Sequence, residues 1–266
     1  HYPLRRQRQM CIRDSLTRKL PQKIEEKLQK KYTVILNKSD KKYTYAELKK
    51  KVSDIDILVP CISDTIDASI IKAAKKLKLI SNFGNGVDNL DLITAKENKV
   101  IVTNTPDVLT EDTADLVLTM ILMISRKVLE AQKNLVNGNW SGWGPSETMG
   151  TRIRGKQVGI IGMGRIGSAV AKRLQTLGMN INYHNRKRLP KKLEKNFDAR
   201  FYEDLNSMLT ISDFVTIHCP YTPETFHLLS KKRLKMLKKN CIVVNTSRGE
   251  IAVSYTHLTL PTKRIV

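Results

Sequence analysis

Three glycines with the spacing G-x-G-x-x-G follow an apolar run at residues 157–161 and precede a segment predicted as a helix over residues 168–178. In a strand–turn–helix of this kind, Gly162 permits a tight turn and Gly164 lets the backbone approach a pyrophosphate. Gly167 lets the helix pack closely on the strand, and the helix amino terminus faces the anion. The pattern therefore predicts a dinucleotide site. The other turn residues expected to contact the cofactor are Met163, Arg165 and Ile166.

The turn after the next predicted strand, residues 180–184, indicates which dinucleotide binds. NAD-binding domains of this kind commonly carry Asp or Glu there for the ribose 2′-hydroxyl. This chain instead has Asn185, Arg186 and Lys187, and such donors suit a 2′-phosphate. The sequence therefore favours NADP(H). NAD(H) stays open as the alternative, because a basic turn with no role in cofactor binding would have similar residues in a lysine-rich chain.

Short apolar strands alternate with helices along the chain, which predicts parallel sheets covered by helices on both faces. Between two such series we predict one long helix over residues 111–137, with Thr110 as its N-cap. The predicted strands cover residues 32–36, 56–60, 77–81, 100–103, 157–161, 180–184, 199–201, 214–217 and 241–244. The other predicted helices cover residues 21–31, 45–52, 68–77 and 90–98.

Both ends of the chain are predicted to be foreign to the folded protein. A DNA sequence that encodes residues 5–14, read from its opposite strand, encodes residues 253–262. This relation resembles a sequencing-library adaptor translated from opposite strands, so residues 1–15 and 253–266 are predicted to be non-native. We therefore expect the natural gene to be interrupted at both ends.

The composition disfavours several classes of function. The formal net charge of +22 suggests a nucleic-acid partner, but the lysines are spread along predicted helix faces and few aromatic residues lie among them. The longest apolar run, residues 116–124, is too short to span a membrane. The natural cysteines show no C-x-x-C spacing, which favours a reducing cytoplasm and argues against a metal site. We expect neither nucleic acid nor membrane as a partner.

Five separated segments resemble, in their order and spacing, the D-isomer-specific 2-hydroxyacid dehydrogenases over residues 16–252. The run TPDVLT and the pair Trp140 and Trp143 resemble the glyoxylate/hydroxypyruvate reductase branch in particular. The segments are NFGNGVDN at residues 82–89, NTPDVLT at 104–110, GMGRIG at 162–167, HCPYTPET at 218–225 and VNTSRG at 244–249.

The resemblance implies an α/β protein with two doubly wound parallel-sheet domains. A flavodoxin-like substrate domain would cover residues 16–101. An incomplete Rossmann NAD(P) domain would cover residues 102–252, beginning with the long helix. The implied reaction is reduction of a small 2-keto acid, glyoxylate or hydroxypyruvate, to the D-2-hydroxy acid by hydride transfer from NAD(P)H. A cytoplasmic homodimer is implied as well.

The resemblance also assigns site residues. Arg248 would orient the 2-keto acid and polarise its carbonyl, since guanidinium is a planar, permanently charged donor pair. Asn85 and Gly86 lie in a loop that resembles the family's substrate loop, whose backbone N–H groups bind the substrate carboxylate. Further cofactor contacts are implied for Cys219, Pro220, Thr225, Thr246 and Ser247.

The family's general acid–base histidine and its glutamate lie some tens of residues beyond the arginine, whereas eighteen residues follow Arg248 here. His257 falls in the segment predicted to be non-native. We therefore expect this chain to be inactive. Two alternatives stay open, namely a dehydrogenase for another acid of the phosphoglycerate or formate type, and a nucleotide-sensing, corepressor-like binding protein.

Overall fold

The computed structural model describes residues 13–146 and 149–253, together with the backbone of residues 264 and 265. The chain divides between Val108 and Leu109 into two compact units, and each unit is built on one sheet of parallel strands. The helices interleave with the strands along the chain. This confirms the predicted α/β class with two parallel-sheet domains.

The first unit contains a five-stranded sheet with the order β2-β1-β3-β4-β5, which is the flavodoxin-like order. Its strands are β1 (Arg13–Leu16), β2 (Thr33–Ile35), β3 (Ile57–Val59), β4 (Leu79–Ser81) and β5 (Ile101–Thr103). Its helices are α1 (Gln22–Gln29), α2 (Tyr45–Lys51), α3 (Ala68–Ala73) and α4 (Leu92–Glu97). The strand β1, which lies between β2 and β3, includes residues 13–15, which fall in the segment predicted to be non-native.

Side-chain caps fix where α2, α3 and α4 of the first unit begin. The Thr44 side chain accepts the N–H of Glu47 at the start of α2, and Glu47 completes a capping box. Asp67 and Asp91 cap α3 and α4 in the same way. The buried faces of these helices pack around Leu58 and Ile80, which are fully enclosed in the sheet.

The second unit contains a six-stranded sheet with the order β11-β10-β9-β6-β7-β8, the Rossmann arrangement. Its strands are β6 (Gln157–Ile161), β7 (Asn180–His184), β8 (Ala199–Phe201), β9 (Phe214–Ile217), β10 (Ile242–Asn245) and β11 (Arg264–Ile265). The two residues of β11 pair with Ile242 and Val243, and they too fall in a segment predicted to be non-native. The helices are α5 (Thr110–Ser125), α6 (Val128–Val136), α7 (Arg165–Thr176), α8 (Lys191–Phe197), α9 (Leu205–Ile211) and α10 (Lys231–Met236).

The prediction of one long helix over residues 111–137 is wrong. The segment forms α5 and α6, with Lys127 between them in the left-handed conformation at φ 53°. The carbonyl of Ser125 accepts the N–H of Thr151 at 2.7 Å and is thereby diverted from the helix. A Cβ on Gly150 would lie 2.5 Å from that carbonyl oxygen, so only glycine allows this approach. Thr110 is the first helical residue and not the cap.

One core cluster of the second unit lies between its sheet and the helices α5 and α7, and a second includes Leu205 and Met208 of α9. Val170, Ala171 and Leu174 of α7 are buried against the sheet, and Val117 and Ile121 of α5 extend the same cluster. This packing fixes the start of α7 relative to the end of β6. Within the described part of the chain, no helix is long and apolar enough to cross a membrane.

Candidate functional site

The residues predicted to bind the cofactor follow four strands of the second unit directly. Because β6, β7, β9 and β10 are parallel, their carboxyl ends meet at one edge of the sheet. The chain runs from β6 to β7 on one side and returns to β9 on the other. This reversal is the switch point at which open α/β sheets bind their ligands.

Gly162 makes the turn that leaves β6. Its φ is +93°, and a Cβ there would lie 2.5 Å from the backbone nitrogen of Cys219. Its N–H donates to the carbonyl of His184 at 3.0 Å. Glycine is therefore required here both by conformation and by the close approach of the segment that follows β9.

The start of α7 is suited to bind an anion. A Cβ on Gly167 would lie 2.2 Å from the carbonyl oxygen of Gly162, whereas a Cβ on Gly164 would meet nothing within 4 Å. Gly164 precedes the first turn of α7, and no side chain caps the helix. The backbone N–H groups of Gly164, Ile166 and Gly167 donate to no atom of the described residues. Unpaired N–H groups beside open space are what a pyrophosphate needs.

Asn185 holds the glycine-rich turn in place. Its Oδ1 accepts the N–H of Met163 at 2.6 Å. The amide oxygen of Asn185 is therefore occupied, and only its NH₂ group remains for a ligand. Arg186 and Lys187 are exposed beside it.

Arg188, the next basic residue, is engaged within the protein. Its Nε and Nη2 donate to the two carboxylate oxygens of Glu194 at 2.8 and 2.9 Å, and the Tyr183 hydroxyl donates to the same carboxylate at 2.5 Å. The hydrogen bonds from Arg188 and then Tyr183 lower the pKa of Glu194 to about 2. Arg188 thus neutralises a buried carboxylate. For this reason we do not count it with Arg186 and Lys187 as a candidate cofactor contact.

The segments after β9 and β10 are joined by a hydrogen bond from the Ser247 hydroxyl to the carbonyl of Cys219 at 2.5 Å. The turn after Cys219 is closed by the Thr225 hydroxyl, which donates to the carbonyl of Pro220 at 2.8 Å. The buried Oγ1 of Thr246 has no hydrogen-bond partner among the described residues. A buried hydroxyl of this kind at the ligand edge of the sheet fits a contact made when cofactor binds.

Two titratable groups at this edge are held neutral. Burial lowers the pKa of His218 to about 4, and its Nε2 lies 2.7 Å from the Thr216 hydroxyl oxygen. Burial raises the pKa of the Cys219 thiol to about 11. At neutral pH this part of the site therefore carries no charge from either group.

Arg248 follows β10 in a backbone held by Asn245. The Nδ2 of Asn245 donates to the carbonyl of Arg248 at 2.9 Å, and its Oδ1 accepts the N–H of Ser247 at 3.0 Å. The guanidinium is half-buried, and its Nη1 donates to the carbonyl of Ser247 at 3.1 Å. These hydrogen bonds fix the position of the Arg248 side chain at the sheet edge.

The loop after β4 in the first unit has its carbonyls fixed by hydrogen bonds. The N–H groups of Asn85 and Gly86 donate to no atom of the described residues. Unpaired N–H groups on a fixed loop fit a carboxylate. The fixed carbonyls are those of Gly84, which accepts the Thr105 N–H at 3.0 Å, of Asn85, which accepts Nδ2 of Asn104 at 2.7 Å, and of Gly86, which accepts Nδ2 of Asn82 at 2.8 Å.

Comparison with known proteins identifies the family of this chain. The family model for the NAD binding domain of D-isomer specific 2-hydroxyacid dehydrogenases matches residues 118–256. The glyoxylate reductase of Thermococcus litoralis is 39% identical over 240 residues, which cover 89% of this chain and 72% of that protein. The chain belongs to the D-isomer specific 2-hydroxyacid dehydrogenase family. It is thus an NAD(P)-dependent oxidoreductase.

Two further similar proteins support the same assignment. The glyoxylate reductase of Aeropyrum pernix is 41% identical over 211 residues, covering 78% of this chain and 62% of that protein. The solved structure of the TT0316 protein from Thermus thermophilus has a TM-score of 0.83 and 38% identity, covering 91% of this dehydrogenase and 75% of that chain. The geometry of the second unit also suits a nicotinamide cofactor. The features that fit it are the open space at Gly164, the unpaired N–H groups at the start of α7 and the hydroxyl of Thr246, which has no partner among the described residues.

Proposed function

We propose that the parent enzyme reduces glyoxylate or hydroxypyruvate to the D-2-hydroxy acid. The proposal rests chiefly on the loop after β4, which presents the unpaired N–H groups of Asn85 and Gly86 and suits the carboxylate of a small 2-keto acid. Arg248 polarises the substrate carbonyl. NAD(P)H supplies the hydride when bound. The naming of several relatives as glyoxylate reductases supports this choice of substrate.

We infer that none of the described histidines of this chain is the acid–base group. His218 has a pKa of about 4, and His184 points Nδ1 to the carbonyl of Tyr202 at 3.0 Å. His227 stacks on Phe226, with ring centroids 3.8 Å apart. We therefore propose that the 266-residue chain does not turn over substrate.

The test compares this chain with the product of the uninterrupted gene. Hydroxypyruvate- and glyoxylate-dependent oxidation of NADPH is expected only from the uninterrupted protein. In the opposite direction, reduction of NADP+ by 3-phosphoglycerate or formate is expected to be slow. Turnover by the 266-residue chain that scales with its concentration, disappears in Arg248→Ala and persists in Arg200→Ala would refute the proposed inactivity. A preference of the uninterrupted protein for phosphoglycerate or formate would refute the substrate.

We propose that the cofactor is NADP(H), read by Arg186 with Lys187 and the NH₂ group of Asn185. Arg186→Ala is expected to weaken NADPH binding by about 1.5–3 kcal/mol, because a charge-assisted contact to the 2′-phosphate is lost. NADH binding should change little. Cofactor fluorescence titration measures both and needs no turnover. Arg200→Ala, an exposed arginine on the strand β8, is the control, and equal weakening of both cofactors by Arg186→Ala would exclude this role.

We propose that the second unit pairs with a second copy of the chain. Its α6 and the loop after it expose several large apolar side chains, among which Val136 is 77% and Trp143 87% exposed. Tryptophan is enriched in protein interfaces. The remaining exposed large apolar residues described on this surface are Val128, Leu129, Leu135, Trp140 and Met149.

We propose that residues 16–101 and 102–252 are the native substrate and NAD(P) domains, and that residues 1–15 and 253–266 are non-native. The burial of Asp14 in the interior strand β1 supports the latter, since its buried Oδ1 has no partner among the described residues. We place the protein in the cytoplasm. Cys61, Cys219 and Cys241 form no disulfide among the described residues, which supports a reducing compartment.

A further inference from the structure

The loop after β4 has a third unpaired N–H group, besides those of Asn85 and Gly86. The N–H of Val87 donates to no atom of the described residues. In a trans peptide the C=O and N–H bonds point in opposite directions. Each carbonyl fixed in this loop therefore also fixes the N–H of the residue that follows it. The carbonyl of Gly86 is the one that sets the direction of the Val87 N–H.

The carbonyl of Gly86 is held by one buried side chain. Asn82 is 1% exposed, and its Nδ2 donates to the Gly86 carbonyl at 2.8 Å. Asn82 is held in turn by Asn89. The two side-chain amides donate to each other's oxygens at 3.3 and 3.2 Å, and the Asn89 amide also donates to the carbonyl of Cys61 at 3.2 Å.

We infer that Val87 N–H is a third donor to the substrate carboxylate and that Asn82, supported by Asn89, is the positioning residue that aims it. This inference rests on the proposed function, since it names a further contact of the same anion site. With the Asn82 amide in place, the Gly86–Val87 peptide is fixed before the anion arrives, so no reorganisation is needed on binding. Without it, the peptide can turn its negative carbonyl end toward the anion.

The test uses the 266-residue chain and oxalate, an unreactive dicarboxylate analogue of glyoxylate. Protein labelled with ¹⁵N-glycine and ¹⁵N-valine is titrated with oxalate, and the amide resonances of Gly86 and Val87 are followed. Both are expected to shift saturably with one common Kd. Asn82→Leu, which keeps the size but loses the amide, is expected to raise that Kd by about tenfold or more and to remove the Val87 shift.

Asn98→Leu is the matched control. Asn98 lies in the same unit, and its Nδ2 donates to the carbonyl of Thr94 at 2.8 Å at the end of α4, away from the loop. It should bind oxalate like the unaltered chain. Asn89→Ala, which removes the support and leaves the Asn82 side chain, should raise the Kd in the same direction by a smaller factor. It decides the question if the thermal melt shows that Asn82→Leu does not fold.

The outcomes separate the two claims. Oxalate binding by Asn82→Leu with unchanged Kd and an unchanged Val87 shift would overturn the positioning role and leave the proposed function intact. A Gly86 shift without a Val87 shift in the unaltered chain would overturn the third donor alone. The absence of any saturable shift in the unaltered chain would overturn the proposed anion site and this inference together.

Discussion

Gly164→Ala is expected to weaken NAD(P)H binding by about 100-fold, or about 2.7 kcal/mol, while the fold of the second unit persists. A Cβ at this position meets nothing within 4 Å in the protein, and the backbone φ of −81° is open to alanine. The added methyl group would instead occupy the space beside the unpaired N–H groups of α7. It would keep the pyrophosphate from contact with them, and hydrogen bonds to charged groups contribute about 1.5–3 kcal/mol each.

Gly167→Ala gives the opposite pattern and serves as the matched comparison. Its Cβ would lie 2.2 Å from the carbonyl oxygen of Gly162. Backbone cannot yield as a side chain does, so a loss of about 3 kcal/mol in unfolding free energy is expected. Thermal unfolding and cofactor fluorescence measured on both variants distinguish the two effects. If Gly164→Ala binds NADPH as the unaltered chain does, the pyrophosphate does not lie at this turn.

The architecture and the glycine-rich turn could be predicted because their signals are local. The apolar run before Gly162 and the spacing of the three glycines are constraints of one continuous segment. Its strand ends at Ile161 as predicted. A Cβ on Gly162 or Gly167 would lie 2.5 or 2.2 Å from backbone atoms, so the chain approaches closely at both. Helix ends were less accurate. The helix α7 begins at Arg165, three residues before the predicted start, because the turn passes directly into the helix.

The other features of the fold and the site could not be predicted, because they depend on contacts between residues far apart in the sequence. The break after Ser125 requires the N–H of Thr151, which no hydrophobic periodicity reveals. Asn82 and Asn104 belonged to recognised segments, but their roles follow from carbonyls that other segments present to them. A usable signal did exist, since each follows a predicted strand directly, where parallel sheets gather their ligand-binding residues.

The buried carboxyl of Asp14 is expected to make the first unit less stable at neutral pH than at pH 4. Asp14 lies in the interior strand β1, is 4% exposed, and its Oδ1 has no partner among the described residues. Burial, and then the nearby charge of Asp56, raise its pKa from 3.8 to about 6. Lys78, which donates to Asp56 at 2.8 Å, keeps Asp56 ionised over this range by lowering its pKa.

The direction of this pH dependence follows from whether the folded or the unfolded state binds the proton. Between about pH 4 and pH 6 the folded state keeps Asp14 protonated while the unfolded state has lost that proton, so stability falls as the pH rises through this window. The rise of the Asp14 pKa from 3.8 to about 6 corresponds to about 3 kcal/mol of unfolding free energy. This stabilisation is fully lost above pH 6. Asp14→Val should therefore raise the unfolding free energy of the first unit at pH 7 by about this amount.

Urea unfolding at several pH values measures the effect, with Asp14→Asn as the matched variant. Asparagine removes the charge but leaves a polar group buried, so it should abolish the slope between about pH 4 and pH 6 and recover only part of the stability that valine recovers. A slope that survives in both variants would mean that another group titrates. If valine is no better than aspartate at pH 7, Asp14 has a partner in solution, and its burial would no longer support a foreign origin for residues 13–15.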